Sequence, residues 1–169
     1  MRRSISILIF LLCSTVRADG IDELRKLYGL GVRSGFNVTV SMDVMPAHVA
    51  AQFTPAFNAV EVNLRSEYWS DPEQSAYHAF FHQWFSTDRP EHIGWHEAGH
   101  ARMFRFVGAA RMDELSRTPV DLGLAYVSWE VSIYAAVNRA EFFAEVYAGL
   151  MAGRKFPADI MTRYNSLWR

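Results

Sequence analysis

The stretch Gly94-Trp-His-Glu-Ala-Gly-His-Ala-Arg-Met-Phe-Arg-Phe106 decides how this chain is read. It sets His96, Glu97 and His100 in the pattern H-E-x-x-H, inside a segment with the residue pattern of an amphipathic helix. Residues four apart on a helix share a face, so His96 and His100 can aim at one ion. Imidazole nitrogens at about 2.0–2.1 Å suit zinc. Glu97, turned by about 100° from His96, flanks such an ion and does not bind it. From there its carboxylate can take a proton from water held on the ion and pass it to a leaving amine. Gly99 leaves room for another element to approach the helix closely. Two histidines do not complete a site, however, because a catalytic zinc takes three protein ligands and keeps a position open.

His92 extends the pair into a stripe of three histidines spaced by four. A straight helix spreads the ends of that stripe over about 12 Å, too far for one ion to bond both. His92 is therefore read as a first-turn residue near the cleft. A carboxylate is available downstream, in Tyr134-Ala-Ala-Val-Asn-Arg-Ala-Glu141-Phe-Phe-Ala-Glu145. Glu141 and Glu145 fall on one helix face, with Phe142, Phe143, Val146, Tyr147 and Leu150 on the others. Two carboxylates among apolar neighbours need a partner, which a metal would provide; the alternative is an exposed acidic face. Tyr134, taken alone, is a core or interface tyrosine. His78 and His82 also stand four apart but lack an accompanying carboxylate motif, and are read as a solvated helix face. Met103 and Met151 are read as core filler.

The motif HEAGH, followed about forty residues later by Y-x6-E and the segment EFFAE, resembles the catalytic domain of anthrax lethal factor and its relatives. The Pro-Pro endopeptidases are similar. The resemblance covers roughly residues 51–169. It implies a zinc metalloendopeptidase of the gluzincin type with one zinc ion. His96, His100 and Glu141 would be the ligands, Glu97 the base and Tyr134 the oxyanion donor, with Glu145 a carboxylate behind the ligands. Two neutral histidines and one carboxylate would leave a net +1 on the zinc, which acidifies water and polarises a peptide carbonyl. A zincin-fold binding protein that has lost catalysis is the rival reading, against which the presence of both Glu97 and Tyr134 argues.

The first eighteen residues carry Arg2 and Arg3, an apolar run from Ile5 to Leu12, and Val16-Arg17-Ala18. That is the layout of a cleavable signal peptide, cut after Ala18, and it points to a secreted or periplasmic protein. The apolar run is too short to span a bilayer. Leu12 before Cys13 does not suit a lipoprotein site. Cleavage leaves residues 19–169, room for one domain with a real core, and removes Cys13, the sole cysteine. Stability must then come from packing or a metal. The fourteen basic residues remaining against 18 acidic ones give a net charge of about −4. No basic patch stands out, which argues against nucleic acid as a partner. The expected partner is a protein or peptide substrate, with no stable membrane association once the leader is gone.

Periodicity predicts a helix over Ile21–Leu30 ended by Gly29 and Gly31, and an alternating strand over Phe36–Met42. A second strand is expected at Ala51–Thr54, a turn at Pro55–Asn58 and a third strand at Ala59–Asn63. One edge of these small antiparallel strands could receive an extended peptide, or the strands simply cover the core. From Pro72 onward the pattern is helical, with Tyr77, Phe80, Phe81, Trp84 and Phe85 as an aromatic face. A break at Ser86–Pro90 precedes the motif helix, which should end near Gly108. Residues 111–126 are ambiguous. Asn138 caps a helix running to about Ala152, Gly153 stops it, and Pro157 opens a last helix. The fold expected is α+β: a mostly helical minimal zincin domain, with a small antiparallel sheet near the N-terminus and the motif helix packed on C-terminal helices.

Overall fold

The computed structural model describes residues 17–41 and 45–168. The expected leader and Cys13 lie almost wholly outside the described residues. The elements run α1 (Ala18–Ser34), β1 (Asn37–Val40), β2 (Ala51–Thr54), β3 (Ala59–Val62), α2 (Pro72–Phe81), α3 (His92–Arg117), α4 (Leu124–Glu130), α5 (Arg139–Met151) and α6 (Ala158–Ser166). Short 3-10 turns occupy Pro55–Phe57, Glu67–Ser70 and Tyr134–Ala136. The fold is α+β and mostly helical, with its small sheet near the N-terminus as the residue patterns require. Among the described residues no helix is long and apolar enough to cross a membrane.

The sheet is mixed and not wholly antiparallel as expected, in the order β1-β3-β2, because the chain crosses over between β1 and its neighbour β3. β2 and β3 form an antiparallel pair with Phe53 opposite Val60 and Thr54 opposite Ala59. Asn58 closes their turn at φ 45°, a left-handed conformation that asparagine tolerates better than most residues. β1 lies parallel to β3 on the other side, Val38 opposite Val60. Ser41 has left the strand, which is shorter than its alternating pattern suggests.

Helix α1 runs further than predicted, through both Gly29 and Gly31, to a left-handed cap at Gly35 (φ 74°). Gly31 serves packing instead of termination. A Cβ there would stand 2.8 Å from the Phe36 carbonyl oxygen and 3.0 Å from Val38 Cγ2. One other expectation needs correction. Met103 is fully buried, but Met151 is 46 % exposed. Helix α2 ends at Phe81, and Tyr77, Phe80, Phe81 and Trp84 face solvent, so its aromatic character does not form core. Only Pro72 and Ala76 of α2 are buried, and Asp71 Oδ1 caps it by accepting the Gln74 N–H at 3.0 Å.

Helix α3 is interrupted at Gly108 (φ 78°, ψ 172°), where the motif helix was expected to stop; the backbone turns and then resumes helix to Arg117. Residues 111–117 are therefore helical, resolving part of the ambiguous stretch. The first part of α3 separates two cores. Ala98 and Ala101 join Leu27, Phe53, Val60 and Trp69 on the side of α1 and the sheet. Met103 joins Val127, Phe142, Phe143, Val146 and Ile160 on the C-terminal side. Where α3 crosses α5, Gly99 is the contact: a Cβ on it would lie 2.9 Å from Ala144 Cα. The motif helix and the carboxylate helix thus meet backbone to backbone.

Candidate metal centre

That close crossing sets the histidines of α3 against the carboxylates of α5. Helix α5 begins where Asn138 Oδ1 accepts the Glu141 N–H at 2.9 Å, so Glu141 stands in the first turn with its side chain free for other work. Its Oε2 lies 3.1 Å from His96 Nε2 and 3.2 Å from His100 Nε2. The two Nε2 atoms are 3.0 Å apart. Three ligand atoms therefore form a nearly equilateral triangle, and two of them are buried imidazole nitrogens facing one another. A tetrahedral ion bonded at about 2.0–2.2 Å holds its ligands roughly 3.3–3.6 Å apart. The triangle is within a few tenths of an ångström of that spacing, and its three side chains can hold a metal ion.

The tautomer of His96 follows from what lies behind it. Glu145, one turn beyond Glu141, is completely buried and accepts four hydrogen bonds. Its Oε1 receives His96 Nδ1 at 2.7 Å and His92 Nε2 at 2.9 Å. Its Oε2 receives the Ser86 backbone N–H at 2.7 Å and the Ser132 hydroxyl at 2.9 Å. Burial works against this charge, but the flanking His92 and His96 hold the carboxyl well below the usual carboxylate range. An ionised carboxylate only accepts, so His96 must donate from Nδ1, and in the neutral ring Nε2 is then the nitrogen whose lone pair faces the triangle.

Glu141 is likewise held far below the ordinary range, against burial, by His100 and His96. Burial opposes a charge on His96, yet Glu141 and Glu145 overcome it and raise that imidazole well above its usual value. The point where the three ligand atoms converge is thus one where the protein favours positive charge. A divalent cation would balance the two carboxylates there. His92, His96 and Glu145 also come close enough to hold an ion. Their short contacts are already ordinary hydrogen bonds to a fully satisfied carboxylate, so the Glu141 triangle is the better centre.

The other expected residues surround it. Glu97, the next residue after His96 on α3, accepts the Phe53 N–H at 2.6 Å, tying the motif helix to β2. Tyr134 lays its ring over His96, centroids 5.4 Å apart and planes at 24°. The residue is 37 % exposed. Burial, followed by the charges of Glu141, Glu97 and Glu145, pushes its pKa upward and keeps the phenol protonated. His92 is buried and stacked on Phe85 at 3.9 Å; it lies behind Glu145, so it does not border the cleft as expected. His78 on α2 and His82 just past its end are exposed and belong to neither cluster.

Sequence reasoning missed Ser86, Ser132 and Arg154. Ser86 also donates its hydroxyl to the Glu145 carbonyl at 2.7 Å. Ser132 accepts the Ala135 N–H at 3.0 Å and so starts the turn that carries Tyr134. Neither serine belongs to a readable pattern, because the loops bearing them are brought together only by the fold. No family model, curated protein or solved structure matches this chain.

Proposed function

We propose that the chain is a zinc metalloendopeptidase. The observation that carries this reading is the convergence of His96 Nε2, His100 Nε2 and Glu141 Oε2, within 3.2 Å of one another, beside a carboxylate from the same helix that is not a ligand. The order of motif, tyrosine and glutamate along the chain, similar to that of lethal factor and the Pro-Pro endopeptidases, supports it. Zinc bound by those three side chains would supply a Lewis acid that activates water and polarises a peptide carbonyl.

The residues divide the remaining work. Glu97, its Oε2 anchored by the Phe53 N–H, keeps its other oxygen to take a proton from the attacking water and return it to the departing amine. Tyr134 stays protonated and donates to the carbonyl oxygen as negative charge develops there. Glu145 fixes the ring of His96. β2 lies at an edge of the sheet, and the Phe53 N–H points away from β3 toward the motif helix. An extended substrate laid along that edge would pass Glu97 in a defined register.

The test is cleavage of a peptide library by the mature protein, with zinc measured in parallel. Glu97→Gln should keep zinc and lose hydrolysis by about 10²–10⁴-fold. Wild type that binds zinc but cleaves no better than Glu97→Gln would make the chain a binding protein with a zincin-type site. Wild type without zinc would overturn the metal reading altogether.

A further inference from the structure

Arg154 stands at the far end of the carboxylate helix, about 13 residues from Glu141 in sequence. Helix α5 closes in a Schellman turn: Gly153 is left-handed (φ 83°), its N–H reaches the Leu150 carbonyl at 3.0 Å, and the Arg154 N–H reaches the Gly149 carbonyl at 2.8 Å. This turn reverses the chain and sends the Arg154 side chain back along the helix. Its guanidinium lies over the Phe156 ring, 4.9 Å from the centroid. Phe156 in turn packs against Gly149, where a Cβ would collide with its Cζ.

Among the described residues the fork of the guanidinium binds three main-chain carbonyls and no carboxylate. Nη1 donates to Ser86 at 2.8 Å and to Val131 at 3.0 Å, and Nη2 donates to Glu130 at 2.6 Å. Ser86 belongs to the segment between α2 and α3; Glu130 and Val131 end α4 and lead into the turn bearing Tyr134. Those are the two loops that deliver the Ser86 N–H and the Ser132 hydroxyl to Glu145 Oε2. They also touch directly, through the Ile133 N–H and the Gln83 carbonyl at 2.6 Å. Gln83 is held there at φ 62°, a left-handed conformation uncommon for a non-glycine residue.

We infer that Arg154 is a positioning residue of the metal centre, clipping together the two loops whose donors fix Glu145 and, through it, His96. The inference rests on the zinc reading above. A planar, permanently charged fork suits three fixed carbonyls, whereas a lysine ammonium at the same place cannot span them all.

The experiment measures zinc affinity by chelator competition, and the visible spectrum of the cobalt-substituted protein, for wild type, Arg154→Met, Arg154→Lys and Ser132→Ala. Arg154→Met keeps an apolar stem over Phe156 and removes the fork. Its zinc dissociation constant should rise about 10–100-fold, the range seen when partners behind a metal ligand are lost. The cobalt spectrum should change shape, and Arg154→Lys should fall between the two. Ser132→Ala removes one donor to Glu145 without touching the clip, and should weaken zinc in the same direction even if Arg154→Met fails to fold. A double-mutant cycle adds a readout that a merely structural arginine would not move. In a Glu145→Gln background, Arg154→Met should cost little further zinc affinity, because the path through Glu145 is already broken. Full additivity would overturn the inference, as would a folded Arg154→Met with wild-type zinc affinity and cobalt spectrum. Failure of wild type to bind zinc strikes the functional reading instead, so the two failures are distinguishable.

Discussion

Gly99→Ala should pull the two halves of the centre apart. A Cβ at residue 99 would meet Ala144 Cα at 2.9 Å, Tyr147 Cβ at 3.3 Å and the Ala144 carbonyl oxygen at 3.4 Å. Comfortable carbon–carbon contact needs about 3.5–4.0 Å, so α3 and α5 must separate locally by roughly 0.6–1.1 Å. The closest of these atoms belongs to the backbone, so no side-chain rotation relieves it. His100 follows Gly99 directly, and Glu141 lies one turn before Ala144. The His–Glu141 edges of 3.1 and 3.2 Å would therefore open by a similar amount. Overpacking of this size costs about 1–3 kcal/mol. For a domain of this length that lowers Tm by roughly 2–12 °C. Zinc affinity should fall at least about tenfold, since a ligand displaced toward 1 Å loses good bonding distance. Gly94→Ala is the matched control on the same helix. Its Cβ would meet Leu27 Cδ1 at an ordinary 3.5 Å, and alanine is the better helix former by about 1 kcal/mol. Thermal melts and chelator competition on both variants decide the matter. If Gly99→Ala matches Gly94→Ala in Tm and zinc affinity, the close crossing does not hold the site together.

Two other expectations follow from the same geometry. Removing zinc with a chelator should destabilise the protein by about 4 kcal/mol when the free ion had been at a thousand times its dissociation constant, which scanning calorimetry reads as a Tm drop on the order of 10 °C; an unchanged Tm would mean that no metal links α3 to α5. Tyr134→Phe keeps the ring over His96 but removes the hydroxyl, so kcat should fall about 10²–10³-fold while zinc content holds. A kcat within a factor of three of wild type would remove Tyr134 from the oxyanion role.

Much of this was legible because the chemistry of the motif is local. His96, Glu97 and His100 carry their relative directions in helix geometry alone, and Asn138 announces the turn that presents Glu141. Gly99 was readable as a place of close approach, though not which residue it would meet. Gly31 shows the limit: in sequence it looks like a helix stop, and only the return of Phe36 and Val38 makes it a packing site. The aromatic run Tyr77–Trp84 shows another, since apolar residues at helical spacing do not say whether anything covers them. Ser86 and Ser132 were illegible because hydrogen bonds to Glu145 across 59 and 13 residues follow no spacing rule. His92 falls outside the cluster that contains His100, as helix geometry requires, but its burial against Phe85 depends on a loop whose path the sequence does not specify.

Glu145→Gln puts the whole arrangement to a sharper test than any deletion, because the change preserves shape and alters only which atoms can donate. Every group facing the Glu145 carboxylate is a donor: two imidazole nitrogens on Oε1, a backbone N–H and a serine hydroxyl on Oε2. A glutamine must turn its NH₂ toward one pair. Facing Ser86 and Ser132, it meets a hydroxyl that can rotate and a backbone N–H that cannot, leaving a buried donor unpaired at about 1–3 kcal/mol. Facing the imidazoles, it forces His96 to accept at Nδ1. A neutral His96 then carries its proton on Nε2, directed at His100 and Glu141, where a metal lone pair is needed. The first outcome reduces stability; the second abolishes the ligand. Urea denaturation should therefore show a loss of about 1–3 kcal/mol, or chelator competition a zinc dissociation constant raised about 10–100-fold, or both. A Glu145→Gln protein that matches wild type in both measurements would show that the four-donor shell does not set the tautomer of His96, and the triangle would lose its claim to be preformed for a cation.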